Sequence, residues 1–164
     1  VKRLVLWRHG QTTWNVEHRF QGHTDIPLDE TGEAQAEYAA RRLVTLTPSA
    51  IFASDLTRAQ QTAAALSRLT GLPVASDKGL RERSGGVWEG LTDTEISERY
   101  PRERATWDPP NGEPTSAVAD RVSAAITRAA AAVAPGQLAV VVSHGAALRL
   151  GMERLLGLPA QGIS

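Results

Sequence analysis

Two histidines stand in matching contexts. The apolar run Leu4-Val5-Leu6-Trp7 ends in Arg8-His9-Gly10, and Leu138-Ala139-Val140-Val141-Val142 ends in Ser143-His144-Gly145. An imidazole can attack as a nucleophile, carry a proton or bind a metal. Both runs read as strands. Ligands of open α/β sheets bind beyond the carboxyl ends of the strands, so the two imidazoles are expected to converge on one crevice. The glycines let backbone approach a ligand closely. Ala146 to Leu150 reads as the start of a helix, whose free amides favour an anion, and the chemistry suggested is that of phosphate. Two other readings stay open at this point. A histidine after a strand is commonly a hydrogen-bonded structural residue, although a second His-Gly pair is less easily explained that way. A metal site would need a carboxylate or third histidine at ligand spacing, and none stands nearby. His18 and His23, in the loop after the first strand, read as surface residues.

Positioning these groups is the task of the elements around them. The two apolar runs are continuous rather than alternating, which suits strands covered on both faces of a parallel sheet. Ala50-Ile51-Phe52-Ala53 is a third such run and leads into Ser54-Asp55, residue types that begin helices well. Helical spacing of apolar residues recurs at Ala36, Ala39, Ala40 and Leu43, at Ala59, Ala63 and Leu66, and at Val118, Val122, Ile126 and Val133. Alternating strands and helices predict an α/β layered domain with right-handed crossovers. No internal repeat is present. The segment 101–116, with four prolines and Asn111-Gly112, is expected to be a loop near the site.

Bulk properties exclude several function classes. A length of 164 residues with 41% hydrophobic content fits one domain with a substantial core. Eighteen basic and eighteen acidic side chains cancel, so no global field favours nucleic acid or an anionic membrane, and any anion site must be local. With no cysteine there is no disulfide, thiolate metal site or cysteine nucleophile, and cytoplasm is the expected compartment. The opening apolar run is too short for a signal-peptide core, and the alanine-rich stretch 124–134 is interrupted by Arg128 and too short for a membrane span.

The segments LVLWRHGQTTWN (4–15) and QGHTDIPLDETG (21–32) resemble the signature of the histidine phosphatase superfamily, the phosphoglycerate mutase-like family. Ser54 to Thr62, Leu80-Arg81-Glu82, Gly86 to Gly90 and Val142 to Gly145 agree in order and spacing over nearly the whole chain. The resemblance implies a single-domain three-layer α/β/α sandwich with a mostly parallel central sheet. It implies His9 as the nucleophile that takes a phosphoryl group and passes it to water. Its other ring nitrogen should then donate to a backbone carbonyl. Arg8, Arg58 and His144 would surround the equatorial oxygens, Arg58 from the first turn of a helix. Asn15, Gln21 and Gly22 match positions that contact phosphate or border the pocket. Glu82 matches the family's acid, which protonates the leaving alcohol, whereas Glu89 reads as framework. Each also has a plainer reading: Arg58 as an exposed helix residue, and Glu82 as a surface partner of Arg81 or Arg83.

No cofactor or metal is implied, and the expected partner is a small phosphorylated metabolite, with a homodimer left open. Mutases of the family usually carry an insertion between the acid and the last catalytic strand. Here that interval, Leu91 to Pro135, reads as short and loop-like with one or two helices, which favours a phosphatase. Mutase-type transfer and a non-catalytic phosphate-binding module are the alternatives. Segments 80–90, 91–96 and 107–113 further resemble actinobacterial phosphatases of three-carbon or glucosylglycerate phosphates, implying a sugar-acid phosphate. Arg83-Ser84-Gly85-Gly86 departs from many relatives. Arg83 is expected either to meet a substrate carboxylate or to stand exposed. Relatives usually add a strand after a segment like Leu155 to Pro159, so an edge strand is expected beyond this sequence.

Overall fold

The structure is a computed structural model and describes residues 1–158. The four strands are β1 (Arg3–Arg8), β2 (Ala50–Ala53), β3 (Val74–Ser76) and β4 (Leu138–Ser143). They form one sheet in the order β1-β4-β2-β3, with every pairing parallel. The expected sheet is thus present, and the three strands read from the sequence are its first three members in space. β3 is the strand that the sequence reading lacks.

Every residue of β4 is buried, as its unbroken apolar run requires of a central strand. Side chains alternate between the faces. Val140 and Val142 join Ile51, Ala63 and Leu66 in one core, while Val141 joins Val118, Val122 and Leu150 in the other. The first core is covered by α2 (Glu30–Leu43) and α3 (Thr57–Thr70), the second by α6 (Thr115–Ala131) and α7 (Gly145–Leu155). This is the three-layer arrangement. The short helices α1 (Thr13–Val16), α4 (Asp93–Arg99) and α5 (Pro101–Thr106) lie in the connections.

Three expectations change. Residues 101–106 are helical, because Pro101 occupies the first helical position, where its missing N–H costs nothing. The interval 91–135 therefore holds three helices rather than one or two. Ser54 and Asp55 do not cap α3. The helix starts at Thr57, whose N–H donates to Asp25 Oδ1 at 2.7 Å, so the cap comes from a distant loop. Val133 is buried but lies just past α6. No helix among the described residues is long and apolar enough to cross a membrane. The readings placed on Pro159 and the closing Gly162-Ile163-Ser164 lie outside the described residues.

Candidate active site

β1 and β4 run side by side with Arg8 level with Ser143, so the residues that follow, His9 and His144, emerge together. Their ring centroids are 5.0 Å apart. The convergence expected from two strand ends is met. His9 is 8% exposed and its Nδ1 lies 2.6 Å from the Gly10 carbonyl oxygen. A carbonyl only accepts, so Nδ1 carries the hydrogen and Nε2 keeps its lone pair. Burial lowers the His9 pKa to about 4, against the pull of the Gly10 bond and with help from the charges of Arg58 and Arg8. The imidazole is neutral at physiological pH. Gly10 is itself held by Thr62, whose hydroxyl accepts from the Gly10 N–H and donates to the Arg58 carbonyl.

His144 has no exposed surface, and burial drives its pKa well below the ordinary value. The imidazole is therefore neutral rather than a third cation beside the two arginines. Its Nε2 is 2.9 Å from Ser54 Oγ, whereas Nδ1 has no partner among the described residues.

Arg58 also has no exposed surface, which removes the reading of an exposed helix arginine. Its two terminal nitrogens donate to Gly22 O at 2.7 Å and Thr24 O at 2.9 Å, tying α3 to the loop after β1. Its Nε is buried without a partner. Arg8 is exposed at the end of β1, and its guanidinium lies over Gly145: a β-carbon there would stand 3.4 Å from Arg8 Cζ. Only glycine leaves that space open without a contact.

Glu82 makes no ion pair with its neighbours. Arg81 is engaged by Asp55 through two bonds of 2.7 Å, and the Glu82 carboxylate accepts from the N–H groups of Arg83, Ala146 and Ala147. The start of α7 thus fixes the carboxylate, as expected where a helix offers free amides to an anionic group. The Glu82 carbonyl is gripped by Arg121 at 2.8 Å and by His23 Nε2 at 2.7 Å. His23 is therefore a half-buried support of the site and not a surface residue, while His18 is exposed as expected. Arg121 also donates to the carbonyls of Gly79 and Arg81 and forms two 2.7 Å bonds with Glu113.

Asn15 closes a reciprocal cap with Thr12, and the Thr12 hydroxyl also bonds Gln21 Oε1 at 2.7 Å. Gly22 has φ of +55°, which favours glycine, and turns its carbonyl onto Arg58. Glu89 accepts from the Thr24 N–H and hydroxyl and the Gly85 N–H, the framework position expected of it. Arg83 is only 4% exposed, so the surface alternative for it falls. It donates to Glu113 O and Trp107 O, both 30 residues or fewer along the chain.

Arg8, His9, Asn15, Gln21, Gly22, Arg58, Glu82 and Arg83 line one cavity of about 200 Å³, with Arg149 at its outer edge. His9, Arg8 and Asn15 also border a more open groove of about 700 Å³ that includes Trp14, His18 and Asp93. Phe20 and Trp107 stand between the two. Among the described residues no group of three or more histidines and carboxylates is placed to hold a metal ion. The sequence reading missed Ser54, Thr62, Arg121, Phe20 and Trp107. Ser54 and Thr62 lie inside the quoted 54–62 segment and Trp107 opens the quoted 107–113 segment, but nothing local marks Phe20 or Arg121.

The carboxyl ends of the parallel sheet thus gather two histidines and two arginines in one place. The family model of the histidine phosphatase superfamily (branch 1) matches residues 4–164. Glucosyl-3-phosphoglycerate phosphatase of Mycolicibacterium vanbaalenii is 39% identical over 171 residues, covering 97% of this chain and 76% of the relative. A probable phosphoglycerate mutase GpmB of an Enterobacter species is 40% identical over 165 residues, with 96% and 76% covered. The structure of mycobacterial glucosyl-3-phosphoglycerate phosphatase with VO3 superposes with a TM-score of 0.91 at 38% identity, over 98% of this chain and 84% of that one. The chain belongs to the histidine phosphatase superfamily. Metal-independent phosphomonoester hydrolysis, implied by the sequence resemblance, agrees with that membership and with its phosphatase-named relatives.

Proposed function

We propose that His9 Nε2 is the nucleophile of a phosphomonoesterase acting on small sugar-acid phosphates. The observation that carries this is the 2.6 Å bond from His9 Nδ1 to the Gly10 carbonyl, which leaves Nε2 unprotonated and the ring fixed. In the first step the Nε2 lone pair forms a bond to phosphorus. The bond from phosphorus to the alcohol oxygen breaks, and that oxygen takes the proton of the Glu82 carboxyl group. In the second step the Glu82 carboxylate takes a proton from water as its oxygen attacks phosphorus. The P–N bond breaks, returning free His9 and releasing inorganic phosphate.

Charge stabilisation around the equatorial oxygens is the protein's main contribution to such a transfer. Arg8 supplies an exposed guanidinium. Arg58 Nε and His144 Nδ1 are buried polar atoms without partners among the described residues, each costing about 1–3 kcal/mol unless a ligand satisfies it. They support a phosphate bound between them. Asn15 and the Gln21-Gly22 turn complete the lining.

The sugar-acid class rests on relatives named for glucosyl-3-phosphoglycerate. Relatives named as probable phosphoglycerate mutases favour a second reading, transfer to a second substrate instead of water. The short-interval argument against a mutase is weaker now that three helices fill it. Phosphate release from a panel of phosphorylated metabolites, run beside a bisphosphoglycerate-primed mutase assay, decides between them. Phosphate release without isomerisation is expected. Isomerisation outpacing phosphate release would overturn the hydrolytic reading.

A further inference from the structure

The leaving group of the proposed reaction must lie beside Glu82. Glu82 lines the 200 Å³ cavity and not the open groove on the other side of His9, so the alcohol portion of a substrate belongs in the former. Beyond Glu82 that cavity has a feature the phosphate does not use. Arg83 and Arg149 both line it, and after burial, the main cause, the charge of Arg149 adds a small downward pull on the Arg83 pKa.

The two arginines differ in kind. Arg83 is buried, held by two backbone carbonyls and paired with the exposed Asp108 at 3.6 Å. It is a fixed cation. Arg149 is exposed, one turn into α7 from Gly145, and Glu153 holds its Nη1 at 3.2 Å. That contact partly neutralises Arg149 but also anchors one end of the fork, leaving its other N–H groups for a ligand. Like charges placed side by side on a cavity wall repel, so the wall gains most from an anion that meets both.

We infer that Arg149, backed by Arg83, forms a second anion subsite that selects phosphomonoesters whose alcohol part carries a carboxylate. A carboxylate fits because the planar fork of arginine matches it with two parallel bonds. Glu82, Arg83 and Arg149 line the same cavity of about 200 Å³, so a short acid joined to the leaving oxygen stays within reach of both arginines. Arg149 is the specificity residue and Arg83 its electrostatic support. The inference rests on the phosphatase reading and adds the residue that reads the acid.

The test compares D-3-phosphoglycerate with sn-glycerol 1-phosphate, which share their configuration at C2 and differ by carboxylate against hydroxymethyl. Their kcat/KM ratio is measured for wild type, Arg149→Ala and Arg149→Lys. Wild type should prefer the carboxylated ester, mainly through KM. Arg149→Ala should shrink the preference by roughly 10-fold or more, the size of a lost hydrogen bond to a charged group. Arg149→Lys should restore part of it. A ratio unmoved by Arg149→Ala, or a wild type with no preference, overturns the subsite while leaving the phosphatase reading intact. Wild type that releases no phosphate from these esters or from p-nitrophenyl phosphate removes both.

Discussion

At His9 the decisive quantity is protonation. Its pKa is lowered to about 4 from an ordinary 6.5, so the free enzyme keeps a usable lone pair well into the acid range. The acid limb of kcat/KM, which reports the free enzyme, should therefore have its midpoint near pH 4 when measured with a substrate whose own titration is corrected for. A midpoint near 6.5 would mean that the imidazole is solvated in the working enzyme. Glu82 is held by three backbone N–H groups at the start of α7, which places its carboxylate but does not by itself make it an acid. Glu82→Gln should slow hydrolysis of alkyl phosphates by roughly 10²–10⁴. It should slow p-nitrophenyl phosphate much less, since that leaving group needs little protonation. Equal losses on both substrates would assign the residue to binding rather than to proton transfer.

At the scale of elements, the site depends on loops tied to helices from far along the chain. The Glu82 loop is clamped by Arg121 of α6, whose guanidinium meets the carbonyl groups of Gly79, Arg81 and Glu82 and the carboxylate of Glu113. Arg121→Ala should let Glu82 drift. A displacement of the order of 1 Å costs up to roughly 10²-fold in rate, and the loss should again be larger for alkyl than for p-nitrophenyl phosphate. A fall in stability with an unchanged ratio of the two rates would mark Arg121 as structural only.

Such contacts explain what could be read in advance. His9, His144 and the three longer strands were legible because continuous apolar runs end in them, and the helices because apolar residues recur every three or four positions. β3 was not, since it has three residues, two of them exposed, and so carries little apolar signal. The four prolines of 101–116 suggest a loop, yet the first of them, Pro101, starts a helix. His23 and Arg121 act on backbone carbonyls 39 to 59 residues away, and a carbonyl has no sequence signature. The Gly10 carbonyl that fixes the nucleophile was hidden for the same reason.

For the molecule as a whole, burying two neutral imidazoles couples folding to pH. Both His9 and His144 have folded pKa values below the ordinary 6.5. Between pH 6.5 and about 4 the unfolded chain therefore binds protons that the folded chain refuses. Stability is full above 6.5 and falls as the pH is lowered, by up to about 1.4 kcal/mol per pH unit for each histidine. Asp55, Glu89 and Glu113, whose pKa values are also lowered, extend the loss at lower pH. The urea midpoint should be clearly lower at pH 5 than at pH 7. A midpoint that held or rose would show the imidazoles taking up protons in the native state.

The whole sheet serves one atom, because β1 and β4 in parallel register bring His9 beside His144 while α3 and α7 deliver Arg58 and the Glu82 clamp. The most direct test of that atom's role is a rapid acid-or-base quench during turnover of a ³²P-labelled phosphomonoester, followed by peptide mapping. An acid-labile, base-stable phosphoryl group on the peptide containing His9, absent from His9→Ala, is the expected result. Label on another residue, or full turnover by His9→Ala, would contradict it.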